Sequence, residues 1–105
     1  MFQALDIATE ATLAVFAATD GVAGYTDLID QARRAAASVA LNLDEGTART
    51  GGDRGYHFRV AYGSAREAKR AMILLSRLGA VDGDEALVLL DRVAAMTWRL
   101  SRPRS

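Results

Sequence analysis

The sequence predicts an all-α protein, an antiparallel up-down-up-down four-helix bundle, on three observations. Eight of the nine glycines fall in three clusters, Gly21 to Gly24, Gly46 to Gly55 and Gly79 to Gly83, and the only proline is Pro103. Glycine and proline punctuate local structure most strongly, so these clusters cut the chain into four segments. Each segment repeats apolar or small residues at i, i+3, i+4 and i+7, the spacing of one helix face rather than the alternation of a strand. The connections around Gly21 to Gly24 and Gly79 to Asp82 span only a few residues, which lays consecutive helices side by side and antiparallel. The expected helices are residues 2–19, 26–49, 53–78 and 83–101 of a single domain, 1–105.

The first helix carries its stripe at Leu5, Ala8, Thr12, Leu13 and Phe16. In the second, Thr26 or Asp27 can act as N-cap, and the face runs Leu28, Ala32, Ala35, Val39, Asn42 and Leu43. Asp53 is the expected cap of the third, whose face is Phe58, Ala61, Tyr62, Ala65, Ala68, Met72, Leu75 and Leu78. Leu78-Gly79 ends it, since glycine supplies a left-handed residue and Arg77 complements the negative end of the dipole. Asp82-Gly83-Asp84-Glu85 then reads as a capping box, Asp82 accepting from the backbone at Glu85 and Glu85 reaching back. The fourth helix presents Ala86, Leu89, Leu90, Val93, Ala94, Thr97 and Leu100. The second and third, at about 25 residues each, reach roughly 37 Å at 1.5 Å per residue.

Half of the 105 residues are apolar and a quarter charged, the balance of a globular chain rather than a disordered one. With no cysteine, a disulfide framework and a thiolate metal site are excluded. The apolar stretch Thr12 to Ala18 follows Asp6 and Glu10, where a secretory signal carries Lys or Arg, and no apolar run approaches the roughly 20 residues of a membrane span. The expectation is a cytoplasmic protein with no membrane partner. Net charge is zero, yet residues 1–32 hold five acids and no Lys or Arg, while all 13 basic residues lie from Arg33 onward. That asymmetry predicts either two electrostatic faces or pairing between segments.

Little in the chain favours catalysis. His57 is the only histidine, which excludes metal sites and triads that require two. Asp44 and Glu45 are adjacent, but neighbouring helix residues diverge by about 100° and cannot flank one bond as acid and base. Glu45 is better placed to pair with Arg49 one turn later. Gly51-Gly52-Asp53-Arg54-Gly55 lacks the Lys-Ser/Thr ending of a phosphate loop and reads as a flexible connection. The expectation is a protein that is not an enzyme and has no cofactor, bound metal or small-molecule substrate.

Two features point instead to binding. Residues Ala35 to Leu43 are apolar or small at nearly every azimuth, so the second helix has an outer side to cover as well as a core side. Ala37, Ala40 and Leu41 project from that outer side and are the expected interface of a homo-oligomer. On the core side, Asn42 must find a partner, because an unpaired buried amide costs about 1–3 kcal/mol; its expected role is to fix register. Gly63-Ser64, in mid-helix, predicts a close helix approach, with a ligand contact as the alternative. On the third helix, Arg59, Arg66, Arg70 and Arg77 are spaced 7, 4 and 7, forming one basic stripe with Lys69 beside it. Such a stripe suits the phosphates of nucleic acid, with Arg99, Arg102 and Arg104 extending the basic character.

The run Gln31-Ala32-Arg33-Arg34-Ala35-Ala36-Ala37-Ser38-Val39-Ala40-Leu41-Asn42-Leu43-Asp44-Glu45-Gly46, then Arg49, Phe58-Arg59, Gly63-Ser64-Ala65-Arg66-Glu67 and Leu78-Gly79, resembles a bacterial family. Its members are small four-helix bundles encoded in intervening sequences of large-subunit ribosomal RNA genes, together with the accessory variability proteins of diversity-generating retroelements. The resemblance covers most of residues 25–81. It implies assembly into a ring, typically a homopentamer, and, in the retroelement branch, binding of a reverse transcriptase and nucleic acid through a basic surface. Ala40 stands where many members have proline, and Asp44 where a small residue is usual. The functional expectation is an oligomeric, non-catalytic accessory protein for nucleic acid or a ribonucleoprotein; the alternative is a structural adaptor that binds only protein.

Overall fold

Four helices and no strand make up the described residues, 3–102, of the computed structural model: α1 (Gln3–Thr19), α2 (Thr26–Thr47), α3 (Gly51–Arg77) and α4 (Asp84–Ser101). Phe2, the expected start of the first helix, and Arg104 of the basic tail lie outside the described residues. The helices run up, down, up and down in a bundle 44 × 21 × 21 Å, with α2 packed on α1 and α3, and α4 on α3 and α1. α1 therefore lies diagonal to α3.

The ends of the helices show which local signals the chain uses. Gly79, at φ 74°, closes α3 with two bonds, Gly79 N–H to the Ser76 carbonyl (3.0 Å) and Ala80 N–H to the Leu75 carbonyl (3.0 Å). This is the left-handed glycine stop expected at Leu78-Gly79. The N-terminal signals differ from expectation. Neither Thr26 nor Asp27 caps α2; the cap is Tyr25, held at φ 54° with no side-chain bond, its carbonyl accepting from Ile29 N–H at 2.9 Å. A left-handed non-glycine residue costs roughly 1–2 kcal/mol. The capping box before α4 does not close either. Asp82 Oδ1 accepts from Asp84 N–H at 3.3 Å, not from Glu85, and Gly83 is the cap.

The connection between α2 and α3 is as short as expected but lies two residues earlier, at 48–50 rather than 50–52. Gly51 to Gly55 form the first turn of α3. Arg54 explains this. Its guanidinium donates to the carbonyls of Arg49 (2.9 Å), Gly46 (3.2 Å) and Thr47 (3.3 Å), tying the start of α3 to the end of α2 and the connection between them. Asp53, expected as the α3 cap, is turned to Arg49 Nη1 at 3.3 Å.

Among the described residues, eleven of the 21 buried apolar ones are alanine, so the helices pack mainly through small side chains. Leu43, Met72, Leu75 and Leu90 supply the largest fully buried groups. In α1 the buried apolar positions are Ala4, Ile7, Ala8, Ala11 and Val15, whereas Leu13 and Phe16, expected in the core, are exposed. The helix is apolar around most of its circumference, so its stripe could not be oriented from spacing alone. Polar bonds stitch α1 to α2: Thr12 Oγ1 donates to the Ala36 carbonyl (3.0 Å) and Arg33 Nε to Thr19 Oγ1 (2.9 Å). Among the described residues, no helix is long and apolar enough to cross a membrane.

Candidate nucleic-acid interface

α3 has two unlike sides. Toward α2 the contact is close and polar groups are paired within it. Ser38 and Ser64 hydroxyls meet at 2.8 Å. Asn42 Nδ2 donates to the Ser38 carbonyl (2.9 Å) and hydroxyl (3.1 Å), and its Oδ1 lies 3.0 Å from His57 Nδ1. The internal amide thus has the partners its position demanded, Ser38 on its own helix and His57 across the α2–α3 seam, where the lone histidine is engaged. Gly46 is where the seam is tightest, since a Cβ on it would fall 2.6 Å from Cε1 of the buried Phe58 ring.

The close approach expected at Gly63 is absent. A Cβ there would meet nothing within 4 Å, because Gly63 is exposed while its neighbour Ser64 makes the α2 contact. At the end of the seam, Glu45 accepts two bonds from Arg49, at 2.8 and 2.6 Å. That hydrogen bonding, reinforced by the charge of Arg49, holds the Glu45 carboxyl below its ordinary value and raises the guanidinium in turn.

The other side of α3 carries the basic stripe. Arg59, Arg66, Arg70 and Arg77 are all exposed, and at 1.5 Å per residue the stripe is about 27 Å long. Among the described residues none of the four forms an ion pair within 4 Å. Pairing of these residues with the acids of the first helix, one of the alternatives that the charge asymmetry left open, is not among the ion pairs of the described residues, and α1 sits diagonally across the bundle. Lys69 differs from the rest of the stripe: its Nζ is 2.6 Å from Asp91 Oδ1 on α4, which neutralises it locally.

Between α3 and α4 the stripe borders an open cleft of about 880 Å³. Ile73, Ala94 and Ala95 give it apolar lining, and Tyr62 and Trp98 contribute rings from the two facing helices. Arg66 lies over the Tyr62 ring at 5.9 Å, and Arg102 over the Trp98 ring at 4.3 Å. Arg99 lines the cleft as well. Trp98 escaped the sequence reading, which also put Tyr62 on the core face. Each aromatic is followed four residues later by arginine, and that i, i+4 pairing was the available signal.

On α2, Leu41 is 69% exposed, while Ala37 and Ala40 are half-buried, Ala40 packing against the core. Only Leu41 of the three is fully outward.

Fold and surface together define a small antiparallel helical bundle, sealed along one side of α3 and open along the other. The chain belongs to the 23S rRNA-intervening sequence protein family, whose model matches residues 3–102. No curated protein matches it.

Proposed function

We propose that the protein is a non-catalytic accessory module that associates with copies of itself and holds nucleic acid, free or within a ribonucleoprotein, along the basic edge of α3. The observation that carries this reading is the row of four exposed arginines, none ion-paired among the described residues, beside a cleft lined by two aromatic rings. Sequence-independent binding requires little more than cations at phosphate spacing, and repetition of the stripe in an oligomer raises avidity. A non-catalytic role is supported by the engagement of the candidate acid–base groups with neighbouring side chains: His57 with Asn42, and Glu45 with Arg49.

Arg66→Glu with Arg70→Glu should weaken binding of RNA or DNA uniformly across sequences and flatten its dependence on salt. Absence of binding at low salt would overturn the reading. Self-association through the outer side of α2 is supported by Leu41, which is large, apolar and exposed in a single copy. Sedimentation giving only an 11.2 kDa species at micromolar concentration would exclude it. The alternative, an adaptor that binds protein alone, is favoured by the further exposed side chains Leu13, Leu74 and Val88, and predicts no response to nucleic acid at any salt concentration.

A further inference from the structure

We infer that the α3–α4 cleft takes the unpaired bases of single-stranded nucleic acid, stacked on Tyr62 and Trp98, while Arg66, Arg70 and Arg99 hold the phosphates. This rests on the nucleic-acid reading above and specifies its ligand. Stacking asks for a flat ring face open to solvent, and Trp98 is 44% exposed at the cleft. Arg66 lies over the Tyr62 ring and Arg102 over the Trp98 ring, so a base stacking on that face would take the place of the guanidinium and free it to meet the adjoining phosphate. Aromatic platforms combined with a cationic track are what single strands require, because every base has a π-face and every linkage a charge.

The shape of the cleft points the same way. Ala94 and Ala95 stand where longer side chains would fill the space between the helices, and the resulting volume of about 880 Å³ is in the range that encloses small organic groups. The Lys69–Asp91 pair ties α3 to α4 along this groove, so its width is fixed in part by an ion pair. Of the charged groups in the lining, Lys69 and Asp91 cancel, leaving Arg66, Arg70 and Arg99 against Glu67. A duplex hides its base faces in its own stack, so it would touch the arginines of the ridge and leave both rings free. An acidic peptide would likewise use the arginines and gain nothing from the ring faces.

Trp98 is the only tryptophan, so its fluorescence reports on this cleft alone. The full-length protein is titrated with a short oligouridylate, with a duplex of equal length and with an oligoglutamate. The expected result is quenching by the single strand, which also binds more tightly than the duplex. Trp98→Ala should lower single-strand affinity by roughly 5- to 150-fold, with Trp98→Phe restoring most of it and neither changing the salt slope. Arg66→Glu should reduce that slope. Tyr62→Ala gives a second reading should Trp98→Ala lose helicity by circular dichroism. Salt-dependent binding that leaves Trp98 emission unmoved and does not distinguish single strand from duplex would overturn the stacking inference while the broader reading stood. Binding of oligoglutamate alone, or of none of the three, would overturn both.

Discussion

The two sides of α3 are built from the same helix and behave in opposite ways. Toward α2, glycine, alanine and serine let the backbones close until hydroxyls and amides meet across the seam. Toward α4, Tyr62, Lys69, Arg66 and Ile73 are too long to interdigitate fully, and the small residues opposite, Ala94 and Ala95, do not fill what remains. Side-chain size along each edge of one helix decides whether an interhelical groove is sealed or open. Sealing concentrates polar groups where they pair with each other. Opening leaves cations and rings facing water, where they can pair with something else.

The contrast is most sharply tested at its two mid-chain glycines, starting with the larger effect. Gly46→Ala places a methyl group against the buried Phe58 ring, and overpacking of that kind costs about 1–3 kcal/mol. The gain in helix propensity is small by comparison at the last turn of α2, so the urea midpoint should fall with the slope unchanged. A midpoint at or above that of the parent protein would show that the seam has slack. Gly63→Ala, on the open side, meets no neighbour and should raise stability by up to about 1 kcal/mol, because alanine is the better helix former. If it destabilises instead, Gly63 faces a surface that a single copy of the chain does not contain.

The smallest effect lies at the solvent-exposed end of the seam. Arg49 holds the folded Glu45 carboxyl below its ordinary 4.5, so the contribution of the pair is complete above that value and is lost as pH falls through the lowered one. Glu45→Gln should therefore be slightly less stable than the parent near neutral pH, and the two should converge in acid and in high salt. A gap that persists unchanged under acid would mean that the side chain acts through packing rather than charge.

Much of the bundle is legible in the sequence. The glycine stop at Gly79, the partnered amide of Asn42 and the Glu45–Arg49 pair follow from rules that act within a turn or two of helix. The N-terminal caps were less legible. Thr26, Asp27 and Asp53 are good capping residues by type, but Tyr25 took a left-handed conformation and Arg54 folded back over the end of α2. Both are choices of chain path rather than of residue preference. The candidate site was half visible: the arginine row could be read from spacing, whereas the neutralisation of Lys69 and the cleft beside it could not. Asp91 is 22 residues away in sequence and reaches Lys69 only because α4 returns alongside α3.

By itself, then, the sequence determined four helices, their antiparallel order and the rows of residues that share an azimuth on each. Helical periodicity fixes those rows because it depends only on the geometry of one chain segment. Tertiary structure alone decided which row faces which neighbour: that Leu13 and Phe16 turn outward, that Gly46 rather than Gly63 receives a packed ring, and that Tyr62 and Trp98 line the same opening. The physical reason is that periodicity sets angles within a helix and leaves its rotation about its own axis free. Packing against the other helices removes that freedom, and in doing so places the only tryptophan beside the arginines.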